Sequence, residues 1–339
     1  MTTSIAMAEV PRVVTDILPV QSLVAMVMDT VAEPDLLLAP GASPHDLALR
    51  PSQAKMLSKA DVVIWIGPEL TPSLSDHLET LSPNAMQMVL MEAQGAHLLP
   101  YRDEAVFGGH SEHDDEDNHD EDHAEDGHED NHKDGHEDGH GDAHHDEDGH
   151  DDAHDHAHGD GENDPHLWLD PDNAILWLEH IAQALGQLDE ENSDTYFYNA
   201  TNAIESIKAA QASAQEILAP VKSVPMAAYH DAYQYYETAF DLNLIGAISD
   251  SDAVQPGAKR LGTLRDSFEQ QQPKCFLMEP GANARLILSV GWAGLLGNDS
   301  GKEPIARLDP LGAHLETGPK LYPTMLTDLA TRIADCVSE

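Results

Sequence analysis

Apolar residues recur along this chain in short blocks, each followed by a stretch of helical periodicity. The first four blocks fall at 12–17, 35–38, 61–66 and 87–91. The third, Asp-Val-Val-Ile-Trp-Ile, is apolar at every position after its first, as a strand buried on both faces requires. Helical patterns occupy 20–31, 51–58, 71–79 and 173–188. The alternation then repeats, with strands at 225–229, 243–248, 275–279 and 305–308. Helices begin in this half at His230, Ala258, Asn283 and Lys320. Strands alternating with helices imply βαβ units and parallel sheets covered on both faces. The predicted fold class is therefore α/β, with two (βα)4-like lobes.

Between the two halves runs a long helical pattern from Ser193. Ile204, Ile207, Ala210, Ala214 and Ile217 share one stripe, Ser193 with Asp194 supplies an N-cap, and Pro220 follows the end. About 25 residues of helix span roughly 37 Å, enough to join two lobes as a rigid strut. The alternative is one more surface helix of a single domain. The predicted organisation is an N-terminal lobe over 9–192, a linking helix over 193–218 and a C-terminal lobe over 219–339. Residues 108–164 form an insertion in the first lobe. Ala6-Met7-Ala8 fits a small-residue cleavage signal, so 1–8 reads as the remnant of a leader or as a short tail. No run of about 18 apolar residues offers a membrane span.

Charge changes this picture. The formal net charge is −45, and between Glu112 and Asp164 there are 25 acids and a single basic residue, Lys133. So acidic a chain is a poor partner for nucleic acid or anionic lipid and a good one for cations. Between His110 and His158 lie fourteen histidines: His110, His113, His119, His123, His128, His132, His136, His140, His144, His145, His150, His154, His156 and His158. With almost nothing apolar to bury, this stretch is expected to be disordered. A generic solubilising tail would explain the acids but not an imidazole every three or four residues. Auxiliary, weak metal capture explains both.

Seven histidines lie elsewhere: His45, His77, His97, His166, His180, His230 and His314. His45, His166 and His230 share a setting, at strand-to-helix junctions or helix starts, and Asp309 follows the last strand. Ligands of open α/β sheets bind at the carboxyl ends of strands. Three imidazoles and a carboxylate suit tetrahedral Zn²⁺, whereas Mn²⁺ favours more carboxylates. A histidine taken singly is better read as a surface or capping residue, and it is three at equivalent junctions in two halves that shift the balance toward a site. Cys275 and Cys336 are outside any CxxC pair, which argues against a thiolate zinc site. They are either small buried hydrophobes or a disulfide formed in an oxidising compartment.

Three stretches carry a resemblance: Pro44-His45-Asp46-Leu47-Ala48-Leu49-Arg50-Pro51-Ser52, Asp164-Pro165-His166-Leu167-Trp168-Leu169-Asp170-Pro171, and Tyr229-His230-Asp231-Ala232-Tyr233. In these the chain resembles the zinc-specific periplasmic solute-binding proteins of ABC transporters, the ZnuA type, over essentially its whole length. The resemblance implies two lobes joined by a rigid helix with a metal cleft between them. It places His45, His166 and His230 on ligand positions and Cys275 with Cys336 on a disulfide. Manganese and iron relatives carry Glu where this chain has His230, which favours zinc. Some members use a Glu before the first ligand histidine as fourth ligand. Here Pro44 stands there, leaving Asp309 or a water, with Asp231 and Glu279 as outer partners or structural residues.

The implied role is capture of Zn²⁺ as cargo in the periplasm and delivery to an inner-membrane ABC permease. A periplasmic zinc chaperone is a further expected partner and a monomer the expected state. Two other readings are a histidine-rich metal buffer or store, and the same transport role for Ni²⁺, Mn²⁺ or Cu²⁺. A zinc hydrolase is disfavoured, because HExxH occurs only at 128–132 and 136–140, inside the acidic stretch that lacks the apolar periodicity of a helix, and no Ser or Cys nucleophile motif is evident.

Overall fold

Val13–Thr15 (β1), Asp35–Leu36 (β2), Val62–Trp65 (β3) and Met86–Val89 (β4) form one sheet, ordered β2-β1-β3-β4 with all pairs parallel. The computed structural model describes residues 10–39, 41–102, 104–107, 163–249, 255–291 and 304–338. The expected leader remnant and the acidic, histidine-rich stretch lie outside them. β1 and β3 are buried at every position, β3 through an unbroken apolar run and β1 with Thr15 as its one polar member. The helices are Leu18–Val27 (α1), Pro51–Leu57 (α2), Pro72–Leu81 (α3) and Pro171–Leu188 (α4), each with a proline in its first turn. α1 stops short of the apolar periodicity. Val31 and Ala32 turn their N–H groups back to the Met28 carbonyl, and Thr30 takes a left-handed φ of 66°.

The second sheet repeats the plan. Pro225–His230 (β5), Asn243–Ser249 (β6), Cys275–Met278 (β7) and Ile305–Arg307 (β8) lie in the order β6-β5-β7-β8, again all parallel. Period-2 alternation sorts β5 onto two faces: Met226 and Ala228 join the main core, while Ala227 and Tyr229 pack with Ile245, Leu264, Phe268 and Ile287. The helices here are Gln234–Phe240 (α6), Ala258–Gln271 (α7), Ala284–Ser289 (α8) and Leu321–Val337 (α9). The predicted helix at His230 begins instead at Gln234. His230 stays in the ladder opposite Ser249, and the Asp231 N–H extends it to the Ser249 carbonyl at 3.1 Å.

The helix between the halves, α5, runs Ser193–Leu218, 26 residues or about 39 Å. Its buried stripe is Tyr196, Ala200, Ala203, Ile207, Ala210, Ala214 and Leu218. Mostly alanine, it lets α4 and α1 of the first half and α9 of the second approach closely. Its start differs from the sequence expectation: Asn192 precedes the helix, and Asp189 accepts from the Asn192 side chain and the Tyr196 hydroxyl, both at 2.8 Å. A disulfide joins Cys275 on β7 to Cys336 on α9 across 61 residues of chain.

One feature had no sequence signal. Residues 105–107 cross from the first half and add to the free edge of β6. Val106 bridges Gly246 antiparallel, Phe107 N–H donates to Ile245 at 3.0 Å, and Ala247 N–H to Ala105 at 3.2 Å. A Cβ on Gly246 would stand 2.5 Å from the Ala105 carbonyl oxygen, so only glycine allows this approach.

Candidate metal centre

His45 sits in a single 3-10 turn, Pro44–Asp46, in the segment after β2. Ser43 opens the turn, its hydroxyl accepting from the His45 N–H at 3.2 Å. His166 lies before the 3-10 turn Leu167–Leu169, which leads into α4. His230 is the last residue of β5, a central strand of its sheet. Each therefore comes from a segment at the carboxyl end of a parallel strand or just before a helix, where open α/β sheets gather ligands.

The structure brings these three together. Their ring centroids stand 5.5, 5.9 and 5.0 Å apart pairwise. One nitrogen from each lies within 4.8 Å of the others. Nitrogens on one tetrahedral Zn²⁺ at ~2.0–2.1 Å stand about 3.4 Å apart, so small side-chain rotations separate this arrangement from a coordinating one. His166 and His230 are buried, and His45 is half-exposed. The buried Nε2 of His230 meets no hydrogen-bond partner among the described residues. An imidazole nitrogen stripped of water and partners is costly unless a cation fills the space it faces.

Electrostatics keep the cluster ready for a cation. Burial, and then the neighbouring His166 and His45, hold the His230 pKa well below its ordinary 6.5, so its nitrogen is neutral at neutral pH. His166 is oriented by Asp164, a buried carboxylate that sequence reasoning quoted but gave no role. Asp164 Oδ1 accepts from the His166 N–H at 2.9 Å and lies 2.6 Å from its Nδ1. With Nδ1–H donated to the carboxylate, Nε2 carries the lone pair toward the other two rings. The Tyr235 hydroxyl holds the Asp164 carbonyl at 3.0 Å, and the Gln234 amide, oriented to donate, reaches Asp164 Oδ2 at 3.1 Å. The spacing Asp-Pro-His was the available signal, since a carboxylate two residues before a histidine can return to its ring.

Asp309 is not brought into the three-histidine group. Its oxygens accept from Leu311 N–H at 3.0 Å and Ala313 N–H at 2.7 Å, closing the turn after β8, and stand 3.6 Å from His314 Nδ1. Glu279 lies against the buried Tyr233 hydroxyl, and burial followed by this carboxylate pushes the tyrosine pKa well up. Asp231 is paired with Arg102. His77 and His180 are half-buried on α3 and α4, and His97 and His314 are exposed beside Asp170 and Asp328. The fourteen histidines between His110 and His158 fall outside the described residues.

Two parallel-sheet lobes strung on one helix define the class: two-lobed solute-binding proteins. The chain belongs to the ZnuA family, described as "Zinc-uptake complex component A periplasmic", whose family model matches residues 13–336. The high-affinity zinc uptake system protein ZnuA of Paracoccus denitrificans (strain Pd 1222) is 40% identical over 332 residues, 98% of this chain and 93% of its own length. That of Brucella suis biovar 1 (strain 1330) is 38% identical over 327 residues, 96% and 92% of the two. A crystal structure of ZnuA shares the fold at a TM-score of 0.68 and 18% identity, covering 96% of this chain and 99% of its own. So does a zinc-bound deletion mutant of ZnuA, at 0.68 and 17% identity over 98% and 99%.

Proposed function

We infer that this chain captures Zn²⁺ as cargo in the periplasm, holding it with neutral His45, His166 and His230, and hands it to an inner-membrane ABC permease. The observation that carries this reading is the meeting of three imidazole nitrogens within 4.8 Å from segments of both halves. An all-nitrogen set of this size suits zinc better than a hard ion. His45 is the partly exposed member, and the two buried rings complete the set. The fourth position falls to water, or to Asp309 if metal draws it off its turn. In this reading the first lobe spans 9–192, the linking helix 193–218 and the second lobe 219–339. The stretch with fourteen histidines collects zinc weakly, the working state is a monomer, and a zinc chaperone is an additional partner.

The test is a competitive titration against a chromophoric zinc chelator. One tight zinc per chain is expected. His45→Ala, His166→Ala and His230→Ala should each weaken it by more than the ~10- to 100-fold typical of outer-sphere losses. If all three leave the tightest dissociation constant in place, the capture site lies elsewhere and the buffer reading takes over.

A further inference from the structure

Arg102 lies just before the short strand that adds to β6, and its side chain is only 17% exposed. Nε donates to Asp231 Oδ2 at 2.9 Å and Nη2 to Asp231 Oδ1, so one guanidinium takes both carboxylate oxygens. Nη1 donates to Glu237 Oε2 at 2.6 Å, and the other Glu237 oxygen accepts from the Leu244 N–H at 2.9 Å. The guanidinium carbon lies 3.6 Å from the centre of the Phe107 ring. Asp231 directly follows His230 and is itself buried. A buried carboxylate thus stands one residue from one imidazole of the cluster.

A carboxylate available beside imidazoles is what a harder cation such as Mn²⁺ prefers. Arginine never gives up its proton, and its planar fork matches a carboxylate bidentately, so the pair is permanent where a lysine would hold only one oxygen. We propose that Arg102 determines metal specificity by holding Asp231 out of the donor set, so that the cleft offers imidazole nitrogen and not a mixed nitrogen–oxygen site. Glu237 fixes the guanidinium from its other side, and Phe107 ties it to the added strand. The clasp adds no repulsion against a dication, because one cation faces two carboxylates. The inference rests on the three-histidine cluster being the capture site.

Zn²⁺ and Mn²⁺ dissociation constants are measured for wild type, Arg102→Met, Arg102→Met with Asp231→Asn, and Arg102→Lys. Bound Mn²⁺ is followed by loss of the free-ion electron paramagnetic resonance signal. In Arg102→Met the preference for zinc over manganese should shrink by about tenfold or more, chiefly through tighter Mn²⁺. Removing the freed carboxylate with Asp231→Asn should restore the preference. Arg102→Lys, which keeps the charge but gives up the second bond, should shift the ratio the same way by a smaller factor. It carries the test if the methionine variant does not fold. An unchanged ratio in the Arg102 variants, or a fall that Asp231→Asn does not reverse, overturns the proposal. A wild type without tight zinc would overturn the capture reading itself, so the two failures are told apart in one experiment.

Discussion

In the proposed capture site, Asp164→Asn separates the part of zinc affinity that resides in the three imidazoles from the part that resides in their orientation. The carboxylate is buried, and one oxygen serves two N–H groups of His166, the backbone at 2.9 Å and Nδ1 at 2.6 Å. An asparagine can offer its carbonyl to Nδ1 but without charge, and a charge-assisted bond is roughly twice as strong as a neutral one. If the amide turns its NH₂ to Nδ1, the proton moves to Nε2 and the ligand is lost altogether. Removing such outer partners costs about 10- to 100-fold in metal affinity, or about 1.4–2.7 kcal/mol. The measurement is the chelator competition at neutral pH, accompanied by thermal melting of the metal-free protein. The zinc constant should move by that factor, while loss of the ligand itself in His166→Ala should cost more. A zinc constant that stays within about threefold of wild type would refute the claim that Asp164 sets the His166 tautomer, since carboxylates that orient a ligating histidine act well beyond that range.

Loss of the disulfide by Cys336→Ser frees a loop of 61 residues in the unfolded chain, worth about 4 kcal/mol on the chain-entropy account. At some 2–4 °C per kcal/mol the melting point should fall by roughly 10 °C, and a fall of a degree or two would contradict that account. Stability of the metal-free protein should decline as pH drops through about 6.5. His230 is held neutral in the folded state but takes a proton when unfolded, so the unfolded state binds more protons there. The slope from this one group is at most about 1.4 kcal/mol per pH unit, and His230→Ala should flatten it in melts run from neutral pH to about 5. Gly246→Ala must move the Ala105 carbonyl off its 2.5 Å approach. It should cost about 1–3 kcal/mol and raise protease cutting at 105–107, and unchanged cutting would show that the added strand is dispensable.

The alternation of apolar blocks with helical periods was enough to read two parallel sheets, because a strand buried on both faces leaves an unbroken apolar run such as Val62–Trp65. Strand ends were less legible. The helical pattern from His230 onward is real in Gln234–Phe240, but the ladder to Ser249 keeps His230 extended. The grouping of His45, His166 and His230 could be guessed from their common setting at strand and helix ends, since that setting is where parallel sheets present side chains. What could not be read were partnerships decided by folding over long separations. Arg102 and Asp231 are 129 residues apart, and nothing near either one announces the pair. The strand at 105–107 is too short for any period to show, and its fit depends on a missing Cβ in another lobe. Asp309 was expected near the site because it follows a strand, and its carboxylate closes the turn after that strand, a partnership its sequence setting did not announce.

These pieces bear on how a cluster of three imidazoles is kept together without its ion. His45 and His166 belong to segments of the first lobe and His230 to the second, so the lobes' relative placement sets the distance between nitrogens. Alanine-lined α5 packs on α1 and α4 of the first lobe and on α9 of the second, the disulfide pins α9 to β7, and residues 105–107 cross to β6. The α5 packing and the 105–107 crossing both resist separation of the lobes, while the disulfide stiffens the second lobe internally, and together they favour release by small movements of the loops that carry His45 and His166. Metal that binds only the closed set stabilises it by RT ln(1 + [Zn²⁺]/Kd), about 2.7 kcal/mol at a hundredfold excess over Kd. Hydrogen exchange should therefore slow on zinc loading around 43–47 and 164–170, while α5 exchanges alike with and without metal. Slowing spread evenly along α5 would mean that the lobes themselves swing, and that the strut is a hinge.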